Sequence, residues 1–96
     1  MNKAYLIIFD ETAHKEKLDE FFEVVRSTYV SKQMRNSFII SAPGETRPKD
    51  IYDLIKSKFK THFDFMVVRF DNYFGIFPPG VFEWIKETFP AVGYIE

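Results

Sequence analysis

The first apolar segment of the chain is continuous. Ala4-Tyr5-Leu6-Ile7-Ile8-Phe9 runs without a polar break and is closed by Asp10, the pattern of a strand buried on both faces. The period then lengthens. Leu18, Phe21, Phe22, Val25 and Tyr29 fall at i, i+3, i+4, i+7 and i+11, which predicts a helix from about His14 to Tyr29 with one apolar stripe. Glu16, Asp19, Glu20 and Glu23 occupy its wet side. Thr12 reads as its N-cap, because a hydroxyl there can accept a free backbone N–H of the first turn.

Ser37-Phe38-Ile39-Ile40-Ser41 reads as a second strand that Ala42-Pro43-Gly44 interrupts. Thr46 reads as the cap of a second helix, with Pro48 tolerated in the first turn, where an N–H has no partner. Ile51, Leu54, Ile55 and Phe59 form that helix's apolar face. Phe65-Met66-Val67-Val68-Arg69-Phe70 is a third strand, Asp71-Asn72 a turn, and Tyr73 to Phe77 a fourth strand in a hairpin with the third. Pro78-Pro79-Gly80 opens a third helix, whose stripe is Val81, Phe82, Ile85 and Phe89 and which Pro90 stops. Trp84 stands at the edge of that stripe, a half-buried position. The tail Ala91 to Glu96 reads either as a short strand or as a frayed end.

These elements predict an α+β domain spanning residues 1–96: a ferredoxin-like two-layer α/β sandwich with four to five strands, helices on one face and an extra C-terminal helix. Strict βαββαβ order needs one more strand before Ser37. Val30 to Gln33 supplies it if the chain turns at Arg35-Asn36, which would leave Tyr73 to Phe77 as an added edge. Strand order stays open at this level. Leu6 and Ile8 alternate with Tyr5, Ile7 and Phe9, and Met66, Val68 and Phe70 with Phe65 and Val67. Both faces of the central strands are therefore apolar, and two helices cover only one of them. The other face calls for the third helix or a second subunit, hence the expectation of a homodimer.

Composition sharpens this picture in two places. Phe accounts for 12 residues and aromatics for 19%, which points to bulky packing or a self-association surface. Cys is absent, which excludes disulfides, thiolate metal sites and thiol nucleophiles. Net charge is −1, so there is no globally basic chain of the nucleic-acid-binding kind. The charge is uneven, however. Residues 31–60 carry seven basic and three acidic groups, and Arg35, Arg47, Lys49 and Lys56 are the candidates for contacts to nucleic acid, set against a plain solvated helix face. The run Ala4 to Phe9 is too short to span a membrane and lacks a cleavage pattern after it, so a cytoplasmic protein without membrane association is expected.

Candidate chemistry is sparse. The four glycines are isolated and no nucleophile-elbow pattern occurs. His14 and His62 alone make no metal site, and a strand-to-helix turn separates Asp10 from His14. Asp10 sits where the first strand ends, the place where groups of α/β sheets gather around ligands. One carboxylate there could serve as a catalytic and metal-binding group for Mg²⁺ or Mn²⁺ if a dimer axis supplied a second. Otherwise it turns the chain into the first helix.

The segment Tyr5-Leu6-Ile7-Ile8-Phe9-Asp10 resembles the start of the second CRISPR adaptation protein and of VapD. Ser37-Phe38-Ile39-Ile40, Thr46 through Phe59, Phe65 through Phe70, Tyr73-Phe74-Gly75-Ile76-Phe77-Pro78 and Phe82-Glu83-Trp84-Ile85-Lys86 are similar to successive elements of their SinR-like cousins. This resemblance to a SinR-like, CRISPR-adaptation-protein-two-like (VapD-related) family implies a ferredoxin-like fold and a homodimer. It maps a metal-dependent nuclease activity of the relatives onto Asp10 alone. Two functions follow as expectations. One is a homodimeric, non-catalytic binding or scaffold protein of phage, plasmid or defence biology, with no cofactor. The alternative is an endonuclease acting on RNA or DNA through paired Asp10 carboxylates and Mg²⁺ or Mn²⁺.

Overall fold

The computed structural model describes residues 1–59, 62–73, 79–89 and 93–94. The chain runs β1 (Asn2–Phe9), α1 (Lys15–Thr28), β2 (Ser31–Gln33), β3 (Ser37–Pro43), α2 (Pro48–Ser57), β4 (Phe65–Phe70), β5 (Asn72–Tyr73), α3 (Pro79–Thr88) and β6 (Gly93–Tyr94). The first six elements give βαββαβ. Their strands form one sheet in the order β2-β3-β1-β4, and every pairing is antiparallel. The fold is α+β with the ferredoxin-like plan. The missing strand lies where the second reading of Val30 to Gln33 put it. It pairs Ser31 with Ile40 and Gln33 with Phe38, after a turn around Arg35 and Asn36.

Alternation along β1 builds both layers of the core. Tyr5, Ile7 and Phe9 point to one face, opposite Ile40 and Phe38 of β3 and Val67 and Phe65 of β4. There they meet Phe21 and Val25 of α1 and Ile51 and Ile55 of α2 in one buried cluster. Much of the phenylalanine content is spent here. Phe21 stacks on Phe63 with centroids 4.6 Å apart, lies 5.4 Å from Phe9 and stacks on Phe59 at 5.7 Å. Each such pair adds about 0.5–1.5 kcal/mol beyond area burial.

On the opposite face, Ala4 and Ile39 pack with Val81, Ile85 and Phe89 of the α3 segment, and Leu6, Phe70 and Trp84 flank them. Trp84 is half-buried, as its offset from the stripe predicts, and meets Phe89 edge-on with centroids 5.7 Å apart. The third helix therefore takes up part of the face that the pattern assigned either to it or to a second subunit. What stays open is the other half of that face. Ile8, opposite Ser37 and Met66, and Val68, opposite Leu6, belong to it. Met66 is 55% and Val68 37% exposed.

Several local expectations are corrected. Thr12 does not cap α1; His14 is the N-cap, and no side chain caps that turn. Thr46 does not cap α2; Arg47 does, and the Asp50 carboxylate reaches back to accept its backbone N–H at 3.0 Å. Thr46 closes a turn instead, donating its N–H to the Pro43 carbonyl at 2.9 Å. Leu54, assigned to the buried face of α2, is 44% exposed. Phe59 lies past the helix end and packs half-buried on the core. Asn72–Tyr73 does not form a hairpin with β4; it pairs in parallel with Gly93–Tyr94 in a separate two-stranded sheet. That pairing makes the tail a short strand at those two residues. Residues 74–77 of the expected fourth strand lie outside the described residues, as do Lys60 and the rest of the tail. Among the described residues no helix is long and apolar enough to cross a membrane.

Candidate functional site

The first strand ends by delivering Asp10 to the rim of the sheet. Its backbone N–H donates to the carbonyl of Asp64, just before β4, at 3.1 Å. Its carboxylate then organises the turn into α1. Oδ1 accepts the Thr12 backbone N–H at 2.9 Å and the Thr12 hydroxyl at 2.6 Å, and the Asp10 carbonyl accepts the N–H of Ala13 at 3.2 Å. This is an Asx turn. The Thr12 hydroxyl, and after it the Thr12 N–H, hold the carboxyl below its ordinary range, because both hydrogen bonds favour the charged form.

The turn does more than start a helix. It folds His14 and Lys17 back beside Asp10, and the pairing of β1 with β4 brings the approach to β4 alongside. Asp10, Ala13, His14, Lys17, His62, Phe63 and Asp64 together line an open pocket of about 220 Å³. Inside this group His62 Nε2 lies 2.5 Å from Asp64 Oδ1, and Lys17 Nζ donates to the His62 carbonyl at 3.3 Å. Asp10 and His14, on either side of the turn, both line this pocket. Asp64 lines the same pocket as Asp10, with its carboxylate turned to His62. Sequence spacing does not bring His62 and Asp64 to the pocket of Asp10, because Asp10 and His62 stand 52 positions apart in the sequence. The available signal was the alternating apolar pattern of Phe65 to Phe70, which marks the strand that Asp64 leads into. These groups do not form a set of three or more ligands able to hold a metal ion among the described residues.

The basic candidates are not collected on one surface. Arg35 sits in the β2–β3 turn, where its Nε lies 3.5 Å from Glu11. Arg47, Lys49 and Lys56 ride on or beside α2. Arg47 grips Asp50 with two guanidinium contacts, at 3.1 and 2.8 Å. Lys49 meets Asp53 at 2.5 Å, and Lys56 lies over the Tyr52 ring, 5.6 Å from its centroid. Three of the four cations are therefore matched by a carboxylate at their own location, which lowers the positive field available to a phosphate backbone.

A second concavity runs where α2 meets β4. Pro48, Lys49, Tyr52, Phe65, Met66 and Val67 line about 270 Å³ of open groove, with the Tyr52 and Phe65 rings stacked at 4.6 Å as part of its wall. It adjoins the exposed Met66 and Val68 of the uncovered half-face. Compared with family models, curated proteins and solved structures, the chain matches none.

Proposed function

We propose that this chain is a cytoplasmic, self-associating binding module, a homodimer whose subunits meet through the uncovered half of the sheet. The observation that carries the reading is the exposure of Met66 and Val68 next to Ile8 and Leu6. Contiguous apolar surface of this kind on a rigid sheet is costly to leave in water and marks an interaction site. The resemblance to SinR-like and CRISPR-adaptation-like proteins supports a homodimer. Sedimentation at micromolar concentration is expected to give twice the chain mass of 11.4 kDa, and Met66→Glu with Val68→Lys to return the monomer with an unchanged circular dichroism spectrum. A wild-type monomer overturns the reading.

The metal-dependent endonuclease reading has weaker support. The Asp10 carboxylate is already engaged by Thr12, and Arg35, Arg47 and Lys49 are ion-paired. Purified protein with Mn²⁺ is expected to leave single-stranded RNA and double-stranded DNA uncut. Metal-dependent cutting that Asp10→Asn abolishes, with the fold intact, would reverse the ranking of the two.

A further inference from the structure

The main sheet ends on two unlike edges. β2 is three residues long and polar, Ser31-Lys32-Gln33, a short, charged edge of the kind that refuses a further strand. β4 is six residues long and reads Phe65-Met66-Val67-Val68-Arg69-Phe70. It holds no Pro or Gly, and its register against β1 runs without a bulge. Among the described residues no strand pairs with its outer side, and β5 beyond it belongs to another sheet. The direction of its backbone groups follows from one bond. Asp10 donates its N–H to the Asp64 carbonyl, and bonded pairs recur at every second residue of an antiparallel ladder. Met66, Val68 and Phe70 therefore turn their N–H and C=O groups toward β1, and Phe65, Val67 and Arg69 turn theirs outward. The side chains of Met66, Val68 and Phe70 form one row on the α3 side of the sheet, where Met66 and Val68 are exposed.

We infer that two copies of this chain pair β4 to β4, antiparallel about a two-fold axis at Val68, to make one continuous sheet. The inference rests on the homodimer proposed above and gives it an edge-to-edge geometry. The sequence of the strand selects the register. With the axis at Val68, each Val68 faces the partner's Val68 and each Met66 faces the partner's Phe70, so the apolar row on the α3 side is its own complement. These are pairs without mutual hydrogen bonds, where side chains approach most closely. The outward groups of Val67 meet those of the partner's Arg69 in reciprocal hydrogen bonds. Moving the axis to Val67 sets Phe70 against the partner's Asp64. Moving it to Arg69 sets two guanidinium groups opposite each other, like charges that repel. Because β2 is protected, the pairing uses up the open edge of each copy and closes at a dimer.

The test uses the full chain, in which sedimentation reports the mass and amide hydrogen exchange is followed residue by residue. The control is built in: Ser31 and Gln33 turn their N–H groups outward on the β2 edge, since Lys32 and Met34 are the residues bonded to β3. In the dimer the N–H groups of Val67 and Arg69 exchange about tenfold or more slowly than those of Ser31 and Gln33. A second measurement uses the absence of cysteine from the chain. Under mild oxidation Val68→Cys gives a disulfide-linked dimer, because the facing Cα atoms stand about 4.5 Å apart, within the reach of a disulfide. Met66→Cys does not, its two copies being roughly 13 Å apart along the strands. Both positions are exposed in the single chain, so both variants keep its circular dichroism spectrum. A dimer whose Val67 and Arg69 amides exchange as fast as those of Ser31 and Gln33, or one that Met66→Cys links as readily as Val68→Cys, overturns the edge pairing and leaves the homodimer standing. A chain that stays monomeric overturns both, and leaves the edge to a strand of another protein.

Discussion

Asp10 shows how one side chain is committed to a turn. Its Oδ1 is spent on Thr12, a task that an amide oxygen also performs, though without the charge that both hydrogen bonds favour. Asp10→Asn is therefore expected to lower the melting temperature at neutral pH slightly, the group being exposed, and Asp10→Ala to lower it further by opening the turn. Thermal melts of the two variants side by side check this, and equal losses in the two would show that the amide oxygen does not hold the turn. Tyr5 is the other residue whose polar tip is committed. Its ring lies in the core, and its hydroxyl contacts the Thr46 carbonyl at 2.5 Å and the Pro43 carbonyl at 3.2 Å. It thereby ties β1 to the turn that leads into α2. Tyr5→Phe leaves the Thr46 carbonyl short of a donor, while that of Pro43 keeps the Thr46 N–H, at a cost of about 1–3 kcal/mol, measurable by urea denaturation. Neither role is legible from Tyr5 or Thr46 alone, because the contact joins residues 41 positions apart.

At the scale of elements, the entry to α2 is the clearest electrostatic device. Pro48 needs no N–H partner at the start of a helix. Asp50 accepts from the Arg47 guanidinium and from the Arg47 backbone N–H. The guanidinium hydrogen bond first, and the backbone one after it, pull the Asp50 carboxyl down to about 2. A folded-state value below the ordinary carboxylate value of about 3.9 stabilises the fold above that range. The contribution fades as pH falls from about 4 through about 2, where the folded-state group also protonates. The pair is exposed, so the effect is modest. Asp50→Asn is expected to melt at lower temperature than the parent at neutral pH, with the two curves converging toward pH 2. Parallel curves down to that pH would remove Asp50 from the acid transition. The helix itself was readable from Ile51 and Ile55. Its cap was not, because Arg47 is no cap-type residue by sequence and takes the place of Thr46 only through the Asp50 carboxylate that reaches back to its backbone N–H.

The whole molecule is asymmetric about its sheet. The α1/α2 side holds the aromatic cluster centred on Phe21, while α3 holds the other side through Val81, Ile85 and Phe89 against Ala4 and Ile39. The smaller cluster is the one a single truncation can release. Ile85→Ala is expected to cost about 2–5 kcal/mol and to shift Trp84 emission to the red, since the indole packs on the same cluster. Unfolding followed by Trp84 fluorescence and by far-ultraviolet circular dichroism should then give two separated transitions in the variant. Coincident transitions would mean that α3 and the sheet unfold as one unit.

Much of this architecture is written in local pattern. The period-two and helical spacings placed β1, β3, β4 and all three helices to within a few residues, and the turn at Arg35-Asn36 carried the βαββαβ order. The apolarity of Leu6, Ile8, Met66 and Val68 on one face, and of Tyr5, Ile7, Phe65 and Val67 on the other, announced that both faces call for cover, of which α3 supplies part on the second. These properties are local because side-chain period follows directly from backbone geometry. Tertiary structure alone decided how far α3 covers the second face, that Leu54 stays wet, and that Asn72–Tyr73 leaves the main sheet for Gly93–Tyr94. It also decided the contents of the pocket. Asp10, His14, His62 and Asp64 meet because β4 pairs antiparallel to β1, so the residues preceding one strand lie beside those following the other. No pattern within either segment encodes that meeting, since it is fixed by which strands pair and in what register.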